Sequence, residues 1–293
     1  MRYLVHGCAI SLVVLCIGHG SAWAHGFAGQ RFFPEPLVME DPFPADAMTL
    51  PGISYRRGAD ERELSLGAEL EKRITPAIGV GAEVEFIWIN PLDPAEPNLR
   101  GYGNPEFFIK WMPVLNAERE AMVGLSLALE SSIGNGNVSE HHAALHPQLA
   151  FSKGLGDLPD SWGWLRPLAV QGAAGLEFPI GATDPEGTVL TYHLLIEYSL
   201  QYLQAFVKDI GLPRPLSRLF PIVEFGFQTP LSGDEKGRTE AFAYPGLIWA
   251  GKRIEVGAGA QIPLTNEAGS GVGIVGLVQF YLDDLFHLQP IVP

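Results

Sequence analysis

Acidic side chains recur at alternate positions inside apolar stretches of this sequence. In "ELSLGAELEKR" they include Glu69 and Glu71, and in "GAEVEFIW" they are Glu83 and Glu85. The same alternation assigns Glu106, Glu130, Glu177, Glu197, Glu224 and Glu255 to the polar side of their segments, together with His193. Fewer cations share that side, Lys110 and Arg73 being the clearest. A repeat of this kind forms a line of like charge along one face of an extended chain. If that face lines a water-filled passage, the low-dielectric wall focuses the field, so cations concentrate and anions are repelled. The competing expectation is a closed interior, filled by pairing the glutamates with arginine and lysine.

Histidines give a second possible chemistry, metal binding. Cleavage after Ala24 would leave His25 with a free α-amine beside its imidazole, a pair that chelates copper, and imidazole also suits zinc. In "SEHHAALHP", His141, His142 and His146 cluster beside Glu140. His142 and His146 would face together only on a helix, whereas this segment reads as loop running into strand. The plain alternative is a cleavage-compatible terminus and a hydrophilic loop. His193, alone on a polar strand face, reads as a hydrogen-bonding group. Apart from copper or zinc, no cofactor is expected. The sequence has no G-x-S-x-G, no H-E-x-x-H and no phosphate-cradling glycine loop. Ser199 and His193 are six residues apart on one face, too far to bond at about 3.4 Å per residue. No enzyme is expected.

The elements that must position these groups are strands. Arg2, the run "AISLVVLCIG" and "SAWA" have the order of a secretory signal peptide, so residues 1–24 are expected to be removed. Cys8 and Cys16 would leave with it, as would Arg2, taking the formal charge from −14 to −15. That charge makes nucleic acid an improbable partner. Residues 25–50 are proline-rich and too irregular to be spanning strands; they are read as a segment able to sit in a lumen as a plug. From 51 to 293, period-two alternation yields about twelve strands. These run over 51–58, 62–75, 77–91, 104–115, 119–133, 144–154, 164–180, 188–206, 219–230, 238–250, 252–265 and 271–286. Most reach 11 residues or more, enough to cross hydrocarbon at a tilt, where about 9–11 suffice. Connections alternate between short turns such as "TPA" and long polar loops such as "NPLDPAEPNLRGYGN". Two connections, near 155–163 and 207–218, are longer than that rule allows; the latter, "VKDIGLPRPLSR", is expected to form a short periplasmic helix or cap. In "LTYHLLIEYSLQYLQAF" the apolar residues at the even positions from 190 to 202 are expected to face lipid, with His193, Glu197 and Gln201 turned inward. The fold class expected is all-β, an antiparallel transmembrane β-barrel of about twelve strands in a Gram-negative outer membrane.

The stretches "HGFAGQRFFP", "DPF" and "LPGISY", followed by hairpins ending "VGLVQFYLDDLF", resemble a group of proteobacterial outer-membrane barrel proteins described as transporter-like. That group is loosely similar to the porin-like proteins named for the MetA pathway of phenol degradation. The resemblance implies a barrel with a channel or transport role and supplies no catalytic residues. It also implies contact with outer-membrane lipid and with the assembly machinery, which commonly reads a terminal aromatic residue. Here the chain continues past Phe286 with "HLQPIVP". Either Phe286 serves with a tail added, or insertion follows another route. The function expected is a channel or transporter for small solutes, cations or small hydrophobic compounds. The alternatives are a metal-binding surface protein using His25 or the 141–146 cluster, and a structural barrel with a filled interior.

Overall fold

In hydrocarbon every backbone N–H and C=O must be paired within the protein, and a sheet achieves this only by closing on itself. The computed structural model describes residues 26–58, 60–135, 138–139, 142–181 and 187–292. The expected signal segment, His25, Glu140 and His141 lie outside them. The strands are β1 (Phe27–Ala28), β2 (Arg31–Phe32), β3 (Ala47–Arg57), β4 (Glu61–Thr75), β5 (Ile78–Pro91), β6 (Leu99–Tyr102), β7 (Glu106–Asn116) and β8 (Ala121–Glu130). They continue with β9 (Ala143–Gly154), β10 (Leu168–Ile180), β11 (Val189–Tyr198), β12 (Leu219–Pro230), β13 (Glu240–Ala250), β14 (Ile254–Pro263) and β15 (Gly273–Tyr281). From β3 onward neighbours pair antiparallel, and β15 returns to β3. The short β6 lies along the distal part of β5, while β7 pairs with the proximal part. Twelve strands therefore close the wall.

The strand face turned outward is apolar. Phe107, Ile109 and Trp111 on β7 are 53%, 47% and 49% exposed, and Leu125, Leu127 and Leu129 continue the band on β8. A soluble protein rarely leaves such a contiguous surface bare. On β11, Leu194 and Ile196 face out while Leu195 and Glu197 are buried inside, as the alternation predicts. Tyr192 joins the outer face, stacked on Phe227 of β12 with centroids 4.7 Å apart. At the end of the barrel nearest the termini, Trp249 Nε1 donates to Pro215 O and Tyr198 Oη to Trp164 O, anchoring an aromatic rim.

The predicted strand 188–206 ends early, at Tyr198. Ser199 Oγ accepts from Tyr202 N at 3.0 Å and starts a helical turn over Leu200–Tyr202 that runs on as a π-helical turn to Val207. A serine hydroxyl satisfies an otherwise orphaned amide at such a start. Tyr202 is accordingly buried beneath the barrel rather than exposed to lipid. Asp160–Leu165 and Arg214–Ser217 are also helical, so the two long connections cap this end. The expected strand 271–286 likewise stops at Tyr281, and Phe286 lies in a terminal helix, Leu282–Phe286. β3 starts at Ala47 rather than at 51. A bulge between Thr49 and Gly52 accommodates Pro51 and shifts the alternation that would otherwise mark the strand start.

Candidate functional site

Residues 26–46 run inside the barrel. Pro34, Pro36, Pro42 and Pro44 deny the segment a regular ladder, so its backbone is held by side chains of the wall. Glu224 Oε2 accepts from Leu37 N and Val38 N at 3.1 and 3.3 Å, Glu71 Oε1 from Ala45 N at 3.0 Å, and Gln171 Nε2 donates to Pro34 O. The wall is thinned to admit it. A Cβ placed on Gly246, Gly257 or Gly259 would stand 2.7 or 2.8 Å from a Leu37 methyl, and one on Gly124 would stand 2.7 Å from Pro42 Cα. Phe32 and Met39 of the segment bury themselves with Leu195, Phe220, Ile222 and Ile248 of the wall. Phe33 and Phe43 do so with Met122 and Ala169.

Arg31, fully buried, ties the segment to the end of the barrel that carries the termini. Its Nε meets Glu120 Oε2 at 3.2 Å, Nη1 donates to Pro167 O at 2.9 Å, and Nη2 reaches Arg166 O. The guanidinium lies 3.9 Å from the centroid of Tyr202. Burial, and next Glu120 beside it, pushes the Tyr202 hydroxyl above its ordinary value. At the opposite end of the segment, Asp46 pairs with Lys72 and with Arg73 Nε. Lys110 Nζ stands near the middle, 3.1 Å from Glu40, 3.0 Å from Asp41 and 3.3 Å from Glu71. Both wall cations expected to temper the lumen, Arg73 and Lys110, are thus committed to this segment.

All twelve sequence-selected interior residues fall on the inward parity of their strands, but they divide into two groups. Glu71, Glu197, Glu224 and Glu255 are buried at or below the inner segment. Tyr281 Oη donates to Glu255, and Gln171 Nε2 to Glu197 at 3.4 Å. His193 Nδ1 lies 3.8 Å from Glu224 Oε1. Above residues 35–40, toward the long loops, the interior opens. A cavity of about 320 Å³ is lined by Glu35, Glu40, Glu63, Glu69, Glu83 and Glu85 with Ser65, Tyr244 and Gln261. A second, of about 360 Å³, shares Glu83 and Glu85 and adds Glu106, Glu130 and Glu177. No lysine or arginine lines either cavity among the described residues.

His146 faces inward, its Nε2 3.5 Å from Glu130 and Nδ1 3.9 Å from Glu106. This histidine therefore belongs to the interior wall. Ser199 Oγ is engaged as a helix cap, as described above. Sequence reasoning missed Arg31, Glu40 and Gln261. Arg31 is the single cation among residues 26–46, which also hold Glu35, Glu40, Asp41 and Asp46. That isolation was the available signal.

No protein-family profile matches the chain, and no curated protein matches it. Among solved structures, it is similar to an outer membrane channel from Pseudomonas putida F1, with a TM-score of 0.57 and 12% identity, covering 85% of this chain and 98% of that one. It is also similar to the KdgM porin, with a TM-score of 0.50 and 13% identity, covering 80% of this chain and 98% of that one. At these identities the likeness carries the fold: this chain has the architecture of an outer-membrane β-barrel.

Proposed function

We propose that the protein is an outer-membrane channel for small solutes, preferring cations, with residues 26–46 acting as a plug that shuts the end nearest the termini. It would be exported by residues 1–24, inserted by the outer-membrane assembly machinery, and held by lipid around the apolar band. The observation that carries this reading is the pair of carboxylate-lined cavities above residues 35–40, whose linings hold no lysine or arginine among the described residues. A low-dielectric wall focuses the field of such a ring into the passage. The polar lining favours cations over small hydrophobic compounds. The fold shared with a channel and a porin supports the reading.

Planar-bilayer recording of the purified protein tests both parts. A reversal potential of cationic sign across a potassium chloride gradient is expected, and anion selectivity would defeat the field argument. Deleting residues 26–45 should raise the single-channel conductance; unchanged conductance would remove the plug. Membrane fractionation checks the location.

A further inference from the structure

The rim at the end of the barrel nearest the termini is uneven in charge. Three neighbouring connections follow one another around it, between β9 and β10, β11 and β12, and β13 and β14. In a chain of formal charge −14, this arc holds more cations than carboxylates. Two of the cations are neutralised locally, Lys153 by Asp157 and Arg166 by Asp160. Lys208, Arg214, Arg218, Lys252 and Arg253 form no ion pair among the described residues. The single further acid of the arc, Asp209, turns its Oδ1 back to accept from Gly211 N at 2.9 Å. The arc is therefore positive on an otherwise acidic protein, and it attracts anions.

The same arc is apolar and continuous with the lipid-facing band. Trp162 and Trp164 on the β9–β10 connection are 57% and 56% exposed, and Phe206 and Leu216 on the β11–β12 connection are 43% and 47% exposed. Tyr198 and Trp249 stand on the outward parity of β11 and β13. Their donation to Trp164 O and Pro215 O fastens both connections to the outer side of the wall. Lys208 Nζ lies 5.7 Å from the centre of the Trp164 ring, so charge and aromatic surface adjoin. Exposed rings beside lysine and arginine suit the headgroup level of a bilayer, where the rings meet acyl chains and the cations meet phosphate. A soluble anion would use the cations alone; the rings select a ligand with both an anionic head and a hydrocarbon tail. We propose that these three connections form a docking arc for anionic phospholipid of the periplasmic leaflet, its headgroups met by the five cations and its acyl chains by Trp164, Phe206 and Leu216. The proposal holds whether or not the lumen conducts.

Native mass spectrometry of the detergent-purified mature protein, titrated with phosphatidylglycerol and with phosphatidylethanolamine, tests it. Phosphatidylglycerol should be retained at least about fivefold better, and the preference should shrink as ammonium acetate is raised, because salt screens exposed charge. Replacing Lys208, Arg214 and Arg218 together by glutamine should weaken phosphatidylglycerol retention at least about tenfold. Lys252→Gln with Arg253→Gln, in a separate turn, serves should the triple variant fold poorly, and should weaken it about fivefold. A charge-matched variant at the loop end, Arg100→Gln with Lys236→Gln and Arg238→Gln, should leave it unchanged. Equal retention of the two lipids overturns the arc, as does a preference indifferent to both rim variants. Co-sedimentation with peptidoglycan sacculi that the rim variants abolish, while the two lipids are retained equally, assigns the cations to the cell wall and overturns the lipid arc as well. The readout is lipid mass and not current, so failure of the channel reading and failure of this one are told apart.

Discussion

The two halves of the barrel interior are built from the same alternating strands yet treat their carboxylates in opposite ways. Near the termini, Glu71, Glu120, Glu224 and Glu255 each accept from a named donor of the inner segment or the wall, and Phe32, Phe220 and Ile248 exclude water between them. Toward the loops, Glu69, Glu83 and Glu106 face open cavities with no lysine or arginine in their lining among the described residues. A carboxylate in the first half is a clamp for backbone; in the second it is a source of field. What separates the roles is whether the tertiary path sets a hydrogen-bond donor against the carboxylate, which strand pattern alone does not reveal.

The largest disturbance of this contrast should come from Arg31→Ala. It leaves Glu120 buried without its cation, a loss of about 3–5 kcal/mol when one partner of a buried pair is removed. The inner segment should then leave its seat, seen as higher conductance and as protease cleavage within residues 26–46. Wild-type conductance and protection would mean that the apolar contacts alone hold it. Gly124→Val should act more mildly, because its side chain meets Pro42 backbone that cannot turn aside; overpacking of this kind costs about 1–3 kcal/mol. The wall should stay folded by heat-modifiability on gels while conductance rises. Loss of the folded form would show that segment and wall unfold together.

Much of the wall was legible beforehand because hydrophobic alternation is local: each strand states its own inward parity, and Glu69, Glu130 and Glu197 all obeyed it. The missed boundaries have local causes too, with Ser199 starting a helix inside an apolar alternation and Pro51 sitting at a bulge. The path of residues 26–46 was not legible. Arg31 bonds main-chain carbonyls more than 130 positions away, and no pattern in "GQRFFPEP" encodes them. Pairing outward from Thr75 and Ile78 would set Glu69 opposite Val84; a register shift between Arg73 and Thr75 brings Glu83 there instead, so this convergence, like the arrival of Glu40, required the fold.

A matched pair of substitutions sharpens the contrast at smaller cost. Glu85→Gln, in the open half, should shift the reversal potential toward zero with stability changed by no more than about 0.5 kcal/mol. Glu224→Gln should do the reverse, leaving selectivity intact while weakening the acceptor of Leu37 N and Val38 N by about 1 kcal/mol. Thermal melting and reversal potential measured on both variants decide the matter. A selectivity change in Glu224→Gln comparable to that of Glu85→Gln would erase the distinction between clamp and field.

The smallest expected effect is graded with pH and concerns two carboxyls of the inner segment. Burial pushes Glu35 well above its ordinary value, Asp41 beside it adding to the rise and Lys110 opposing it. Burial likewise raises Asp41, with Lys110 again pulling down and Glu40 pushing up. Around them stand Gln279, which donates to Glu35 at 2.9 Å, and Glu69. A carboxyl whose value is raised in the folded state keeps its proton where the unfolded chain has lost it, so the native state binds more protons and stability falls as pH rises. The window opens at the ordinary values, 4.5 for Glu35 and 3.8 for Asp41, and extends upward. The seated segment should therefore be most protease-resistant at mildly acidic pH and progressively less so toward alkaline pH, with conductance rising in step. Glu35→Gln should flatten that trend by removing the group whose charge is costly. A segment that tightens as pH rises would mean that attraction to Lys110 outweighs the cost of burying the two charges.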